Sequence, residues 1–286
     1  MAEGKEKKAK KKKPILLIII LAIVVLIGIV CALLFVHATT AAILYIESGI
    51  VEVDNGNGWQ VASDEMQLHL NDKVRTSASS SASIALYEGE IIRLEENTEV
   101  SIDELSQESI TINQKSGSTW NKITKISGIK DYDVETPTTV ATVRGTGFGV
   151  RISAETDLLV DEGIVNFKYG SDEADVNAGE KAVTGGSIDI SALTAEDIAW
   201  LSGQKEKDIE ILIKLRKLEI AKNSVFVNMI KSAAKITDAD IEQGLKDIDD
   251  GKLDENELAQ KSPIQPPSLG HILKLTHQIK VMKGTA

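Results

Sequence analysis

The chain has few cysteines, aromatic residues and histidines, and each shortage excludes a class of protein. A single cysteine, Cys31, among 286 residues excludes an internal disulfide framework and a cysteine-based zinc cluster. Aromatic residues make up only 4% of the chain, so we expect an aliphatic core. The four histidines fall in no catalytic pattern, and G-x-S-x-G, H-E-x-x-H and G-x-x-x-x-G-K-S/T motifs are absent. The sequence therefore favours a non-enzymatic protein without a cofactor.

Charge is segregated along the chain. The 32 basic and 43 acidic residues give a net charge of −11. Seven lysines and two acids lie in residues 1–14, which gives that segment +5 and leaves −16 on the remainder. Because an acidic body repels phosphate, we expect no nucleic-acid partner.

Residues 15–36 contain no charged side chain. As a helix rising about 1.5 Å per residue they would reach about 33 Å, enough for a hydrocarbon core of about 30 Å. We therefore predict a single transmembrane helix, with residues 1–14 in the cytoplasm and the bulk of the chain outside the cell membrane. A cleaved signal peptide is the alternative, since small residues follow at 37–42, but its apolar region would be shorter, about 7–15 residues.

Residues 43–190 form a β-rich segment. Short runs of valine, isoleucine and threonine alternate with polar residues, as at Ile84/Leu86 and Val100/Ile102, and turn signals recur between them. This pattern predicts a mainly β fold, a sandwich or roll. Val-Arg-Thr at 74–76 and Val-Arg-Gly-Thr at 143–146 each precede a Glu-Gly turn, an echo that suggests two similar β-units.

Residues 193–286 show helical periodicity instead. Thr194-x-x-Asp197 and Thr237-x-x-Asp240 each predict the start of a helix, the second ending at Gly251, and further helices are expected over 205–235 and 269–282. The broad apolar face of the long helix suits either a partner or the β-domain itself, and the sequence leaves both uses open. The candidate partner-binding residues on it are Ile209, Leu212, Leu215, Leu218 and Met229.

The acidic stretch near residue 250 invites a test for calcium binding. With Gly251 at the sixth position of an EF-hand loop, Lys246 and Ile248 would occupy ligand positions one and three. Neither can serve there, so we predict no metal site.

An ordered series of short motifs runs through residues 45–183. The most specific is Thr-Pro at 136–137 followed by Ala-Thr-Val-Arg-Gly-Thr-x-Phe at 141–148. By these motifs the segment resembles a FecR-type domain, although Asn-Asp at 71–72 replaces the usual Gly-Asp. The matching residues, which we expect to be structural, are Trp59, Arg75, Thr76, Gly89, Thr136, Pro137, Arg144, Gly145, Thr146, Phe148 and Gly163.

The resemblance implies an extracytoplasmic β-domain in a membrane-anchored protein. The best-known family members bind a periplasmic signalling partner and control a sigma factor through a sizeable cytosolic N-terminal domain. Residues 1–14 are too short and too highly charged to form a packed domain, so we do not expect that mechanism here.

Arg144 allows two interpretations. An arginine in a glycine turn can bind a ligand carboxylate or phosphate. Alternatively, Gly145 supplies a backbone angle while Arg144 pairs with a nearby acid, and this second interpretation is favoured. The glycines at 145–149 lack both the dinucleotide-binding spacing and a following helix.

Three functional hypotheses follow from the sequence. The leading one is a non-enzymatic, membrane-tethered module that recognises a protein or cell-envelope component. The alternative is a subunit of a transmembrane signalling or assembly complex that docks through its C-terminal helices. A third, a glycan-processing enzyme using surface carboxylates, has no motif to support it.

Overall fold

The computed structural model describes residues 42–86, 89–106, 108–124, 129–143, 145–254 and 268–284. The predicted transmembrane helix over 15–36 and the side chain of Arg144 lie outside these residues. Within them, no helix combines the length and hydropathy that a membrane crossing requires.

The described strands confirm the prediction of a mainly β chain. Buried and more exposed side chains alternate with the expected period of two in strands such as Val51–Asp54 and Asp131–Glu135, whereas Ser81–Leu86 and Glu90–Leu94 are buried on both faces. The strands are β1 Ala42–Ser48, β2 Val51–Asp54, β3 Gln60–Val61, β4 Met66–Leu68, β5 Lys73–Thr76, β6 Ser81–Leu86, β7 Glu90–Leu94, β8 Glu99–Leu105, β9 Ser109–Lys122, β10 Asp131–Glu135, β11 Thr139–Val143, β12 Gly147–Ile152, β13 Thr156–Glu162, β14 Ile164–Tyr169, β15 Asp172–Asn177, β16 Glu180–Thr184 and β17 Ile188–Ala192.

Two sheets face each other across an aliphatic core. Sheet A has the order β4-β1-β6-β7-β9-β12-β13-β16-β17, with antiparallel pairs throughout. Sheet B has the order β3-β2-β5-β8-β9-β10-β11-β14-β15, in which β9 and β10 run parallel. Phe148 and Tyr132 meet edge to face in the core, with ring centroids 6.2 Å apart.

Strand β9 belongs to both sheets and joins them. Its first part pairs with β8 and β10 in sheet B, and from Gly117 onward it pairs with β7 and β12 in sheet A. The chain changes sheets at Gly117, which has a φ of +80°, and a Cβ atom there would lie 2.3 Å from Oγ1 of Thr98. Only glycine fits this bend.

The sequence echo corresponds to a repeated arrangement on either side of β9. In β5–β8, the first and last strands pair in sheet B while β6 and β7 form a hairpin in sheet A. In β11–β14, the first and last strands again pair in sheet B and β12 and β13 form the hairpin in sheet A. Two similar units therefore lie side by side and share β9.

Helices follow the strands, as predicted for the C-terminal region. At the start of α1, Thr194 accepts a hydrogen bond from the backbone N–H of Asp197, and the Asp197 carboxylate accepts one from the Thr194 N–H. Thr237 and Asp240 form the same capping box on α3. The described helices are α1 Ala195–Lys222, α2 Ser224–Ala234, α3 Asp238–Asp249 and α4 Leu269–Lys283.

The bounds predicted for the long helix were wrong. One helix of 28 residues begins at Ala195 and ends at Lys222, without an interruption at Gly203. The break falls at Asn223, where side-chain Nδ2 donates to the Glu219 carbonyl oxygen at 2.8 Å. A side chain that bonds to the backbone of its own helix favours a helix end, so α2 begins separately.

Helix α1 packs on the outer face of sheet A, with α4 beside it. Side chains of β1, β6 and β7 meet those of both helices in a second apolar cluster outside the sandwich core. Its buried members are Tyr45, Ala85, Ile91, Ile211, Leu212, Leu215, Leu275 and Ile279.

Candidate functional site

A buried cluster of charges joins α1 to sheet A. The Arg93 side chain on β7 is fully buried, and its Nε donates to Oε1 of Glu47 at 2.7 Å. Its Nη1 donates to Oδ1 of Asp208 at 2.9 Å and to the backbone oxygen of Gln204 at 3.0 Å. The indole N–H of Trp120 donates to the other Asp208 oxygen at 2.8 Å. One arginine thus binds an acid from the sheet and an acid from the helix.

The protonation of these acids follows from their surroundings. Burial raises the pKa of Asp208 to about 6, although Arg93 and Trp120 oppose that rise. Burial also disfavours the charged form of Glu47, but Arg93 and the hydrogen bond from Ser83 outweigh it and lower the Glu47 pKa. Both acids are therefore ionised at neutral pH. Because Arg93 and Asp208 are closed to solvent, this cluster positions α1 and offers no substrate access.

Two glycines in sheet A leave room for aromatic side chains to pack on the strands. A Cβ atom on Gly149 would lie 2.5 Å from the Trp200 ring, and one on Gly147 would lie 3.0 Å from the Trp120 ring. Arg151 covers Trp200, with its guanidinium carbon 4.5 Å from the ring centroid. Gly147 and Gly149 thus allow tryptophan rings to pack closely on β12.

The helices are also tied to one another by a buried ion pair. Arg216 of α1 and Asp249, at the end of α3, form two parallel hydrogen bonds of 2.6 Å each. Arg216 also donates to the hydroxyl of Thr276 on α4, at 3.2 Å. One guanidinium therefore links α1, α3 and α4.

A cavity of about 180 Å³ lies between α1, α4 and the turns at one end of sheet A. Its lining combines Lys122, Glu162 and His277 with apolar side chains such as Leu212 and Met282. Cavities that hold small-molecule ligands are usually about 300–1,000 Å³. In the described part of the chain, no group of three or more His, Cys, Asp or Glu side chains is placed to bind a metal ion.

Several family-motif residues lie in sheet B and its turns. The guanidinium carbon of Arg75 lies 4.2 Å from the Trp59 ring centroid, and Arg75 also pairs with Glu52 at 2.8 Å. Thr76 donates to the Glu95 carbonyl oxygen at 2.6 Å. Thr136 accepts from the backbone N–H of Thr139 at 2.9 Å in the turn that contains Pro137, between β10 and β11. These contacts are internal to the domain.

The remaining motif residues lie near the hairpin of the second unit or under the helices. Gly145 and Gly163 have φ values of +70° and +83°, which favour glycine, and Thr146 and Phe148 are buried. Gly89 has a φ of +110°, and a Cβ atom there would lie 2.4 Å from Oε1 of Gln278 on α4. The structure thus brings Gly89 against the helices.

The candidate partner-binding helix residues are divided in the structure. Leu212 and Leu215 are buried against sheet A, and Ile209 packs at the edge of the same cluster. Leu218 is half-buried, whereas Met229, on α2, is 49% exposed. The long apolar face of α1 therefore contacts the β-domain of its own chain.

Sequence reasoning missed the Arg93 cluster, although one signal was present. Asp208 and Gln204 are polar residues one turn apart on α1, and they share its face with Leu201, Ile211 and Leu212. A carboxylate on an apolar helix face becomes buried when the helix packs, so it needs a cation or hydrogen-bond donors beside it. The sequence did not identify Arg93 as that partner, since 115 residues separate the two.

The outer face of sheet B, here called the free face, is polar and at least partly exposed. Its two central rows cross β9, β10, β11, β14 and β15, and the register sets neighbouring side chains next to each other. Four of the ten residues are acidic and one is a lysine. The first row is Thr111, Asp133, Thr142, Asn166 and Asp175; the second is Asn113, Glu135, Val140, Lys168 and Glu173.

The fold and its two faces define a class of protein: a two-sheet β-domain with a helical cover on one sheet. Residues 72–166 match the family model described as FecR protein, and this part of the chain is a FecR domain. None of the curated proteins matches the chain.

Solved structures of similar fold include two crystal structures of a protein from Parabacteroides distasonis ATCC 8503, provisionally described as an anti-sigma factor. Each is 18% identical to this chain, with a TM-score of 0.41 and a match over 46% of this chain. The match covers 65% and 64% of those two chains, so this chain spans less than two thirds of their length.

Proposed function

We propose that the protein is a non-enzymatic, membrane-tethered signalling module of the FecR type that recognises a protein partner through the free face of sheet B. The FecR domain at residues 72–166 supports the regulatory class. The uncharged run at 15–36 and the lysines before it support a single span with the β-domain outside the cytoplasm.

The observation that carries this proposal is the difference between the two outer faces. Sheet A is covered by α1 and α4 and fixed by the Arg93–Asp208 pair. On sheet B, Thr142 donates to Asp133 and Asn166 donates to Asp175 at 3.0 Å, so cross-strand hydrogen bonds hold partly exposed side chains in fixed positions. A flat array of ordered polar groups suits recognition of another protein surface.

The chemistry of the free face indicates the kind of partner. Four acids against one lysine make its two central rows weakly acidic. A partner with hydrogen-bond donors and a modest positive charge would complement it, and such complementarity raises association rate and selectivity more than affinity.

The alternative, docking through the C-terminal helices, has less support. Leu212 and Leu215, which would form the centre of such an interface, are 2% and 8% exposed because they pack on sheet A. Docking through them would require α1 to leave the sheet and expose the buried charge of Arg93.

Site-specific photo-crosslinking in cells separates these hypotheses. A photoreactive amino acid at Thr142 or Asn166 reports the free face, and one at Glu210, an exposed residue of α1, is the matched control. We expect a specific adduct from the two free-face positions and little from Glu210. Adducts from Glu210 alone would favour the docking subunit and overturn the assignment of the free face.

A further inference from the structure

Helix α2 carries an apolar face that the described part of the chain covers only in part. None of its 11 residues is buried. Val225 and Met229, one turn apart, are 70% and 49% exposed, and Phe226 and Ile230 are half-buried beside them. The opposite side of the helix carries Ser224, Asn228, Lys231 and Ser232.

The position of α2 follows from the course of α1 over β1. Lys207 of α1 lies 3.9 Å from Glu47, and seven residues later Lys214 lies 5.5 Å from the ring centroid of Tyr45. Helix α1 therefore runs toward Ala42, the first residue of β1. Eight more residues, about 12 Å of helix, lead from Lys214 to the end of α1. Helix α2 thus begins beyond the end of the domain at which β1 starts.

The sequence before β1 relates the position of α2 to the predicted membrane span. The uncharged run ends at residue 36, so five residues separate it from Ala42. Five residues and the bonds that flank them reach at most about 20 Å. If the run spans a membrane, the end of the domain at which β1 starts is held close to that membrane.

The charges at α2 and its ends sum to +1. Lys222 precedes the helix and pairs with Glu219 at 3.2 Å, Lys231 lies on its polar side and pairs with Asp238 at 2.8 Å, and Lys235 follows the helix. An amphipathic helix with lysines at its polar side and ends is typical of segments that lie in the membrane interface. Lysines close to a membrane surface are attracted to anionic headgroups.

We propose that α2 lies in the headgroup region of the membrane that holds the chain, with Val225 and Met229 against the acyl-chain boundary and the lysines among anionic headgroups. This inference rests on the proposed membrane tether. It makes the tail a second contact with the lipid surface, which fixes the orientation of the domain and holds the free face of sheet B toward a partner.

The test uses the full chain with Cys31→Ser, reconstituted in vesicles of phosphatidylcholine and phosphatidylglycerol. An environment-sensitive fluorophore is attached at Met229→Cys, and quenching by lipids with brominated acyl chains is measured. The matched control is Asn228→Cys, the adjacent residue on the polar side of α2. We expect several-fold stronger quenching at 229 than at 228, and weaker quenching at 229 when phosphatidylglycerol is omitted.

A label at Val24→Cys, within the uncharged run, tests the tether separately. Quenching at 24 with equal, weak quenching at 228 and 229 would overturn the α2 proposal and leave the tether intact. Absence of quenching at 24 would overturn both. Disulfide formation between two Met229→Cys chains, without lipid quenching at 229, would assign the face to a second copy and also overturn the proposal.

Discussion

Arg93 lies between β7 and α1, and its charge is balanced by Glu47 from the sheet and Asp208 from the helix. Arg93→Met would leave the buried Asp208 without its cation and would leave Glu47 with Lys207, whose Nζ lies 3.9 Å away. Breaking a buried pair from one side typically costs about 3–5 kcal/mol, and we expect that loss in the free energy of unfolding measured with urea at neutral pH. The loss should be smaller at pH 5, because without Arg93 the Asp208 pKa rises further and the acid becomes neutral.

Two variants control the Arg93 experiment. Arg75→Met removes an ion pair with Glu52 that is open to solvent, and it should cost much less stability than Arg93→Met. The double variant Arg93→Met/Asp208→Leu removes both charges and should recover part of the stability. Equal losses in Arg93→Met and Arg75→Met would show that the buried cluster does not hold α1.

Asp197 provides a prediction about pH. Burial opposes its ionisation, but hydrogen bonds from Thr194 and Lys181 outweigh that effect and lower its pKa to about 2. Because this value lies below that of the unfolded chain, the contribution is present above about pH 4 and is lost as pH falls toward 2. Asp197→Asn should therefore lower the free energy of unfolding by up to about 2 kcal/mol at pH 6, with the difference vanishing near pH 2.

Asp240→Asn is the matched control for Asp197. Asp240 fills the same position in the capping box of α3, but it is exposed and has no arginine or lysine contact among the ion pairs of the described residues. Its replacement should have a smaller effect in the same unfolding series. An Asp197 effect that did not depend on pH would contradict an electrostatic origin.

At the scale of single elements, the start of α1 depends on the absence of a side chain in β12. Gly149 has ordinary strand geometry, so alanine is allowed by the backbone, but its Cβ would lie 2.5 Å from Trp200. We expect Gly149→Ala to cost about 1–3 kcal/mol through displacement of that ring. Gly186→Ala, with open space around it, should change stability by less than about 0.5 kcal/mol.

The readout for this pair is urea unfolding followed by the combined fluorescence of Trp59, Trp120 and Trp200. In the double variant Gly149→Ala/Trp200→Leu, the smaller leucine side chain replaces the indole ring. The alanine at 149 should then no longer cause most of its destabilisation. If Gly149→Ala and Gly186→Ala were equally stable, the close packing of Trp200 on β12 would be wrong.

Local sequence rules predicted two helix starts but missed the break that ends the long helix. The boxes at Thr194 and Thr237 placed two helix starts, because the side chain and backbone groups that form a cap are only three residues apart. The break at Asn223 was missed, since it results from a side chain that bonds backward to Glu219 within an otherwise apolar pattern.

At the scale of the whole molecule, alternation along the strands predicted a two-sheet fold because each strand records which of its faces is buried. The attachment of α1 to sheet A was not predictable in the same way. It depends on Arg93, Trp120 and Asp208 meeting across 88 to 115 residues of sequence, and no local pattern pairs them. The family motifs identified glycines whose backbone conformation requires glycine, such as Gly145 and Gly163. They did not indicate which outer face of the sandwich is left uncovered by the described helices.

The central claim is that the C-terminal helices are a fixed cover on sheet A, which leaves sheet B for recognition. Hydrogen–deuterium exchange of the membrane-reconstituted full chain tests it most directly. We predict that backbone amides around Ile211 and Leu215 exchange as slowly as those of β7 and β9, and that Arg93→Met accelerates α1 while β9 stays protected. Rapid exchange throughout α1 in the unmodified protein, beside slowly exchanging strands, would contradict the claim.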